Sequence, residues 1–201
     1  MADLATALDL RIPRSKTALM QLLQAYTASG SRWWCGGEVV PAKAAALAAK
    51  MAGRYPVLRA ERGRGYDRQK GLAACLLVFY PLDGGKLAWW LLSTEGRGGL
   101  ADPKTPDAHV AKHTMAANGH ITFGDYVLHY GTKRERRKLV DERTGKVVAF
   151  DKDTSTWTWR MTDWALSEVK ATLERAAGGF QYGSEQEGDL WGAARVKVVV
   201  A

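Results

Sequence analysis

Residues 72–94 read LAACLLVFYPLDGGKLAWWLLST, and this stretch decides the fold. Leu72–Tyr80 is a nearly unbroken apolar run of the length and composition of a well-buried strand. Leu82-Asp83-Gly84-Gly85-Lys86 is turn chemistry, and Leu87–Thr94 is a second apolar run. Two such runs about a short glycine turn predict an antiparallel hairpin.

Upstream the period changes. Ser15 can cap a helix whose buried face is Leu19, Leu22, Leu23 and Tyr26, at helical spacing. Pro41 suits the first turn of a second helix, alanine-rich through AKAAALAAKMA and stopped at Gly53. Arg32-Trp33-Trp34-Cys35-Gly36-Gly37 lies between them and reads as a link that exposes its tryptophans beside paired glycines. Residues 54–71 show no apolar period and read as a basic, glycine-punctuated loop or arm.

Downstream, 95–105 reads as a loop and Thr105–Gly119 as a short helix. His120–Tyr130 reads as a strand bent at Gly124-Asp125. Lys138–Glu142 and Lys146–Phe150 flank the turn Arg143-Thr144-Gly145, and Trp157–Met161 is a further strand. Thr162 caps a last helix with a stripe of Leu166, Val169, Leu173 and Ala176, ending at Gly178-Gly179. Arg195–Val200 reads as a late strand. The order predicts an α+β fold: two N-terminal helices, a mostly antiparallel sheet of about five or six strands, and a helix packed on the sheet. The expected organisation is a helical segment over 1–54, a basic arm over 55–71 and a sheet domain over 72–201.

In 201 residues, 46% hydrophobic and 25% charged side chains exclude wholesale disorder. No run approaches the ~20 apolar residues of a membrane span. The N-terminus lacks the basic and apolar regions of a secretory signal, so no membrane partner and a cytoplasmic location are expected. Cys35 and Cys75 stand alone, without a CxxC pair, and are expected to be reduced thiols.

Charge carries the functional reading. The net charge is +8, and two segments account for it: 54–71 has six basic and two acidic residues, 132–146 seven and three. Clustered cations suit a polyanion. Nucleic acid, RNA or DNA, is the expected partner, contacted by Lys133, Arg134, Arg136, Arg137 and Lys138 and by Arg62, Arg64, Arg68 and Lys70. Aromatic side chains add stacking surfaces. A non-catalytic subunit of a nucleoprotein complex, without a cofactor, is the leading expectation.

Two alternatives stand beside it. All four histidines fall within His109–His129. His113, His120 and Tyr126 are the candidates for metal-independent RNA cleavage, because imidazole can give and take protons near neutrality. A helical His109/His113 pair with Asp107 or Asp125 is a weak metal pattern without a motif behind it, and no metal is expected. The other alternative is a protein-interaction subunit that uses Trp33 and Trp34 as contacts to other subunits. Phosphate-binding GxxxxGK[ST] and nucleophilic GxSxG motifs are absent.

Overall fold

The computed structural model describes residues 12–140 and 147–182, without the side chains of 133, 135, 137–140, 148–150 and 178–182. In chain order its elements are α1 (Lys16–Ala28), β1 (Trp33–Val39), α2 (Pro41–Arg54), α3 (Glu61–Gln69), β2 (Cys75–Pro81) and β3 (Leu87–Ser93). A 3-10 turn at Ala108–Val110 leads to β4 (Lys112–His113), β5 (Thr122–Phe123), β6 (Tyr126–Val140), β7 (Val147–Met161) and α4 (Asp163–Tyr182). The fold is α+β. Its described part has four α-helices and two antiparallel sheets, one of four strands in the order β2-β3-β1-β4 and one of three in the order β5-β6-β7.

The chain separates into two compact units. One holds the described residues up to Ile121 together with Leu128–Trp159. The other holds Thr122–Val127 and the described residues from Arg160 onward.

The expected hairpin is β2-β3, paired in register from Cys75 with Ser93 to Pro81 with Leu87. Its near-continuous hydrophobicity has a packing cause. Cys75, Leu77, Phe79, Leu87 and Leu91 point into one core, with Ala44, Ala48 and Met51 of α2. Their sequence neighbours Leu76, Val78, Trp90 and Leu92 are buried as well. Both faces of the sheet are therefore dry, and neither strand can alternate with polar residues. Each fully buried side chain of this size contributes about 1.5–3 kcal/mol.

The sheet holds a strand that the sequence reading had as a link. Trp33–Val39 is β1, set between β3 and β4, with Gly36 opposite Trp90 and Gly37 opposite Trp89. The glycines that argued against a strand are what this one needs. A Cβ on Gly36 would lie 2.5 Å from the Trp89 carbonyl oxygen, so any side chain there would push β1 off β3.

Segment 61–69 is also corrected, from loop to helix. Glu61 in the first turn and Arg68 in the last suit the helix dipole. The buried positions of α3 are Arg64 and Asp67, so its inward stripe is polar and shows no apolar period. Asp67, 3% exposed, receives a two-point ion pair from Arg59, at 3.1 and 3.2 Å.

Thr105–Gly119 is not a helix. Only 108–110 makes a single 3-10 turn, and His113 pairs with Trp33 across β4-β1. Asp107 accepts from both Arg54 and the Tyr55 hydroxyl instead of continuing a helix. The bend expected at Gly124-Asp125 is a tight turn, with Gly124 at φ +54, between β5 and β6. In α4, Thr162 caps through its hydroxyl to the Ala165 amide. Ala165 rather than Leu166 heads the buried stripe, and the helix runs past Gly178-Gly179 to Tyr182. The turn 143–145 and the late strand 195–200 lie outside the described residues.

Candidate nucleic-acid interface

Strands β6 and β7 each run 15 residues, far more than β5 beside them, so most of their length is a two-stranded ribbon. At ~3.4 Å per residue each strand extends about 50 Å. Tyr130 meets Trp157 with ring centroids 5.2 Å apart, and the Thr132 and Ser155 hydroxyls lie 2.9 Å apart. Both contacts advance by two residues on each strand, the step of an unbulged antiparallel pair. The base is anchored to α1: Trp157 is 3% exposed, the Gln24 amide donates to its carbonyl at 2.8 Å, and the Trp159 indole donates to the Met20 carbonyl at 2.9 Å.

The basic run 133–138 lies on β6 beyond that anchor. Arg134 and Arg136 are exposed and, two residues apart, share one face of the strand. Arg134 pairs with Asp151 of β7 at 2.9 Å. Its side chain is 73% exposed, so the pair holds it only loosely. Lys133, Arg137 and Lys138 follow the same strand, with side chains outside the described residues. Tyr126 and Tyr130, both more than a third exposed, lie on β6 before the run.

The looser cluster is taken apart by the fold. Arg62 is exposed on α3. Arg64 is buried, its guanidinium 3.2 Å from the Tyr26 hydroxyl and 5.7 Å from that ring's centre. Arg68 donates to the Ser29 carbonyl, and the Lys70 ammonium sits 4.3 Å over the Tyr66 ring. Arg54 and Arg59 are committed to Asp107 and Asp67. Five of the six basic side chains of 54–71 thus have partners within the fold, whereas a count of charge alone takes all six as free.

The histidines regroup. His113 stacks obliquely on Trp33 at 5.0 Å, while His120 and His129 meet edge to face at 6.2 Å. Nδ1 of His120 is buried and has no hydrogen-bond partner. His109 is exposed on the 3-10 turn, so the helical His109/His113 face does not form. Among the described residues no three His, Cys, Asp or Glu side chains gather as metal ligands.

The tryptophan expectation is corrected at the level of exposure. Trp34 is 8% exposed and its indole N–H donates to the Gly119 carbonyl at 2.6 Å. Trp33 is partly buried. Their position inside the sheet, with strands on both sides, is the reason. Among the described residues the exposed tryptophan is Trp164, at 69%, on the first turn of α4.

Both thiols are buried. Burial, then the Asp107 carboxylate and Cys75, push the Cys35 thiol up to about 12, and burial pushes Cys75 up to about 11. Neither is a nucleophile near neutral pH.

Fold and surface together define an α+β protein with a long, basic β-ribbon. No protein-family model matches the chain, and no curated protein or solved structure matches it. Among the described residues no helix is long and apolar enough to cross a membrane.

Proposed function

We propose that the protein binds nucleic acid through the β6-β7 ribbon, as a non-catalytic component of a nucleoprotein complex. One observation carries this reading: the densest basic run, 133–138, lies on a 15-residue strand of a two-stranded ribbon, past the point where α1 anchors it. Phosphates are neutralised by cations that reach them without leaving a buried partner. A two-stranded ribbon also has the width that enters the major groove of B-form DNA. Duplex DNA is therefore the polymer this shape fits best, and Tyr126 and Tyr130 offer faces for unpaired bases at the ribbon's base.

The test is fluorescence polarisation with labelled duplex DNA, single-stranded DNA and single-stranded RNA across a salt series. Five cations in 133–138, each neutralising one phosphate, give a slope of log K against log salt of about −4 to −5. Reversing Arg134, Arg136 and Arg137 to Glu abolishes binding while circular dichroism and the unfolding midpoint stay put. Unchanged affinity in that variant removes the reading.

A second reading, metal-independent RNA cleavage, rests on one contact. The His120 and His129 rings lie 6.2 Å apart, close enough to serve one phosphate from two sides. His113 lies instead against Trp33, and Tyr126 is exposed on β6. Running each RNA probe on a gel after the binding assay decides it. Probes shortened by the wild type but left whole by His120→Ala support cleavage.

A further inference from the structure

Helix α3 and the end of α1 enclose a feature that the ribbon reading leaves unused. Arg64 is 8% exposed, yet its partners are neutral: the Tyr26 hydroxyl and the Tyr26 ring. No carboxylate lies within ion-pair distance of it among the described residues. A buried guanidinium is costly unless an anion compensates it, and buried charges are as a rule paired. The contrast on the same helix is direct, because buried Asp67 has its arginine.

Arg64 lines a cleft of about 110 Å³ together with Arg68, Ser29, Ser31 and Thr94. A wider cleft of about 320 Å³ shares Ser29, Arg68 and Thr94 with it and adds Arg32. The inner cleft has the volume of about four water molecules. That admits one tetrahedral oxyanion. Guanidinium forks and the Ser31 hydroxyl are the donors suited to phosphate oxygens, since the Ser29 hydroxyl already donates to the Tyr26 carbonyl. Two carboxylates face the same space, Glu61 on the inner cleft and Glu95 on the outer. Both are exposed, so solvent screens them more than it screens Arg64.

We infer that this cleft is a phosphate site: Arg64 and Arg68 hold one phosphate group in the inner chamber, and the ester substituent, when there is one, leaves past Arg32 through the outer one. The ligand is a free phosphate or a phosphate monoester, which includes the phosphorylated end of a nucleic-acid strand. The site stands on residues 26–32, 61–68 and 94–95 and does not depend on the ribbon.

The experiment is calorimetric titration of the full chain with inorganic phosphate at constant ionic strength, using chloride as the control. Two parallel titrations use one short oligonucleotide with a 5′-phosphate and with a 5′-hydroxyl. Saturable phosphate binding is expected. Arg68→Gln and Arg32→Gln, both at exposed positions, weaken a bound ester by about tenfold each, and Arg68→Gln alone weakens inorganic phosphate. Arg62→Gln, exposed on the same helix, changes neither. Glu61→Gln tightens both ligands. Arg64→Met removes the central donor, and the Gln variants keep the test alive should it not fold. Tighter binding of the 5′-phosphorylated strand than of its 5′-hydroxyl twin identifies a strand end as the source. Equal binding of the two strands, with phosphate still saturable, identifies the free anion. The Arg134, Arg136 and Arg137 to Glu chain keeps its phosphate affinity, which separates this site from the ribbon. Phosphate heats no larger than those of chloride, or affinities untouched by Arg68→Gln, overturn the inference.

Discussion

Single side chains set the tolerance of this fold. The Trp34 indole is buried against the Gly119 carbonyl at 2.6 Å, so Trp34→Phe leaves an acceptor without its donor. The expected cost is about 1–3 kcal/mol, read as a lower urea midpoint at unchanged m-value. Cys35 gives the molecule an alkaline limit. Its thiol ionises at about 12 in the fold against an ordinary value of 9.0, so the folded state keeps the proton that the unfolded state loses. Because the folded value is raised, this stability is complete below pH 9 and is lost as pH climbs towards 12. Cys35→Ser unfolding midpoints measured between pH 8 and 11 should fall less steeply than wild type. Asp102 shifts the other way. The amides of Gly98 and Lys104 donate to its carboxylate and hold it below the ordinary aspartate value. The Gly98 amide resonance should therefore stay constant through the usual aspartate range and move only at more acid pH.

At the scale of elements, legibility followed the physics that shaped each one. The β2-β3 hairpin was legible because two dry faces demand continuous apolar sequence about a glycine turn. α2 was legible from Pro41 and its alanine stripe. β1 and α3 were not. A strand with glycines at a close approach and a helix whose inward residues are Arg64 and Asp67 both lack the periodic signal that marks such elements. The same holds for the candidate interface. The run 133–138 stood out as charge, but only long-range pairing turns it into one edge of a ribbon. That ribbon carries its own prediction. Asp151 pairs with Arg134 at 2.9 Å, so Asp151→Asn should free the arginine and tighten nucleic-acid binding a few-fold, since exposed pairs are worth about 0–1 kcal/mol. Competition titrations at low and moderate salt measure it, and the gain should shrink as salt rises.

For the whole molecule, the core and the proposed binding element draw on separate residues. Between Tyr130 and Thr156, no residue whose side chain is described is buried, while the sheet unit's core lies in α1, α2 and β1–β3. Replacing 133–154 by a two-residue Asn-Gly turn should shift the unfolding free energy by about 1 kcal/mol or less and eliminate nucleic-acid binding. The two effects are read from urea denaturation and polarisation on the same preparation. A loss of several kcal/mol would place the ribbon inside the cooperative core. The strand order β2-β3-β1-β4 has a further effect in time. A ribosome makes β1 first, yet its neighbours Leu87–Ser93 and Lys112–His113 come about fifty to eighty residues later. Until then a nascent chain holds an unsheltered strand with two tryptophans, and the later hairpin must dock the free edge of β3 against it. Synthesis rate through residues 40–113 thus becomes a determinant of yield, and slowing it prolongs the interval in which chaperones or aggregation partners compete for β1.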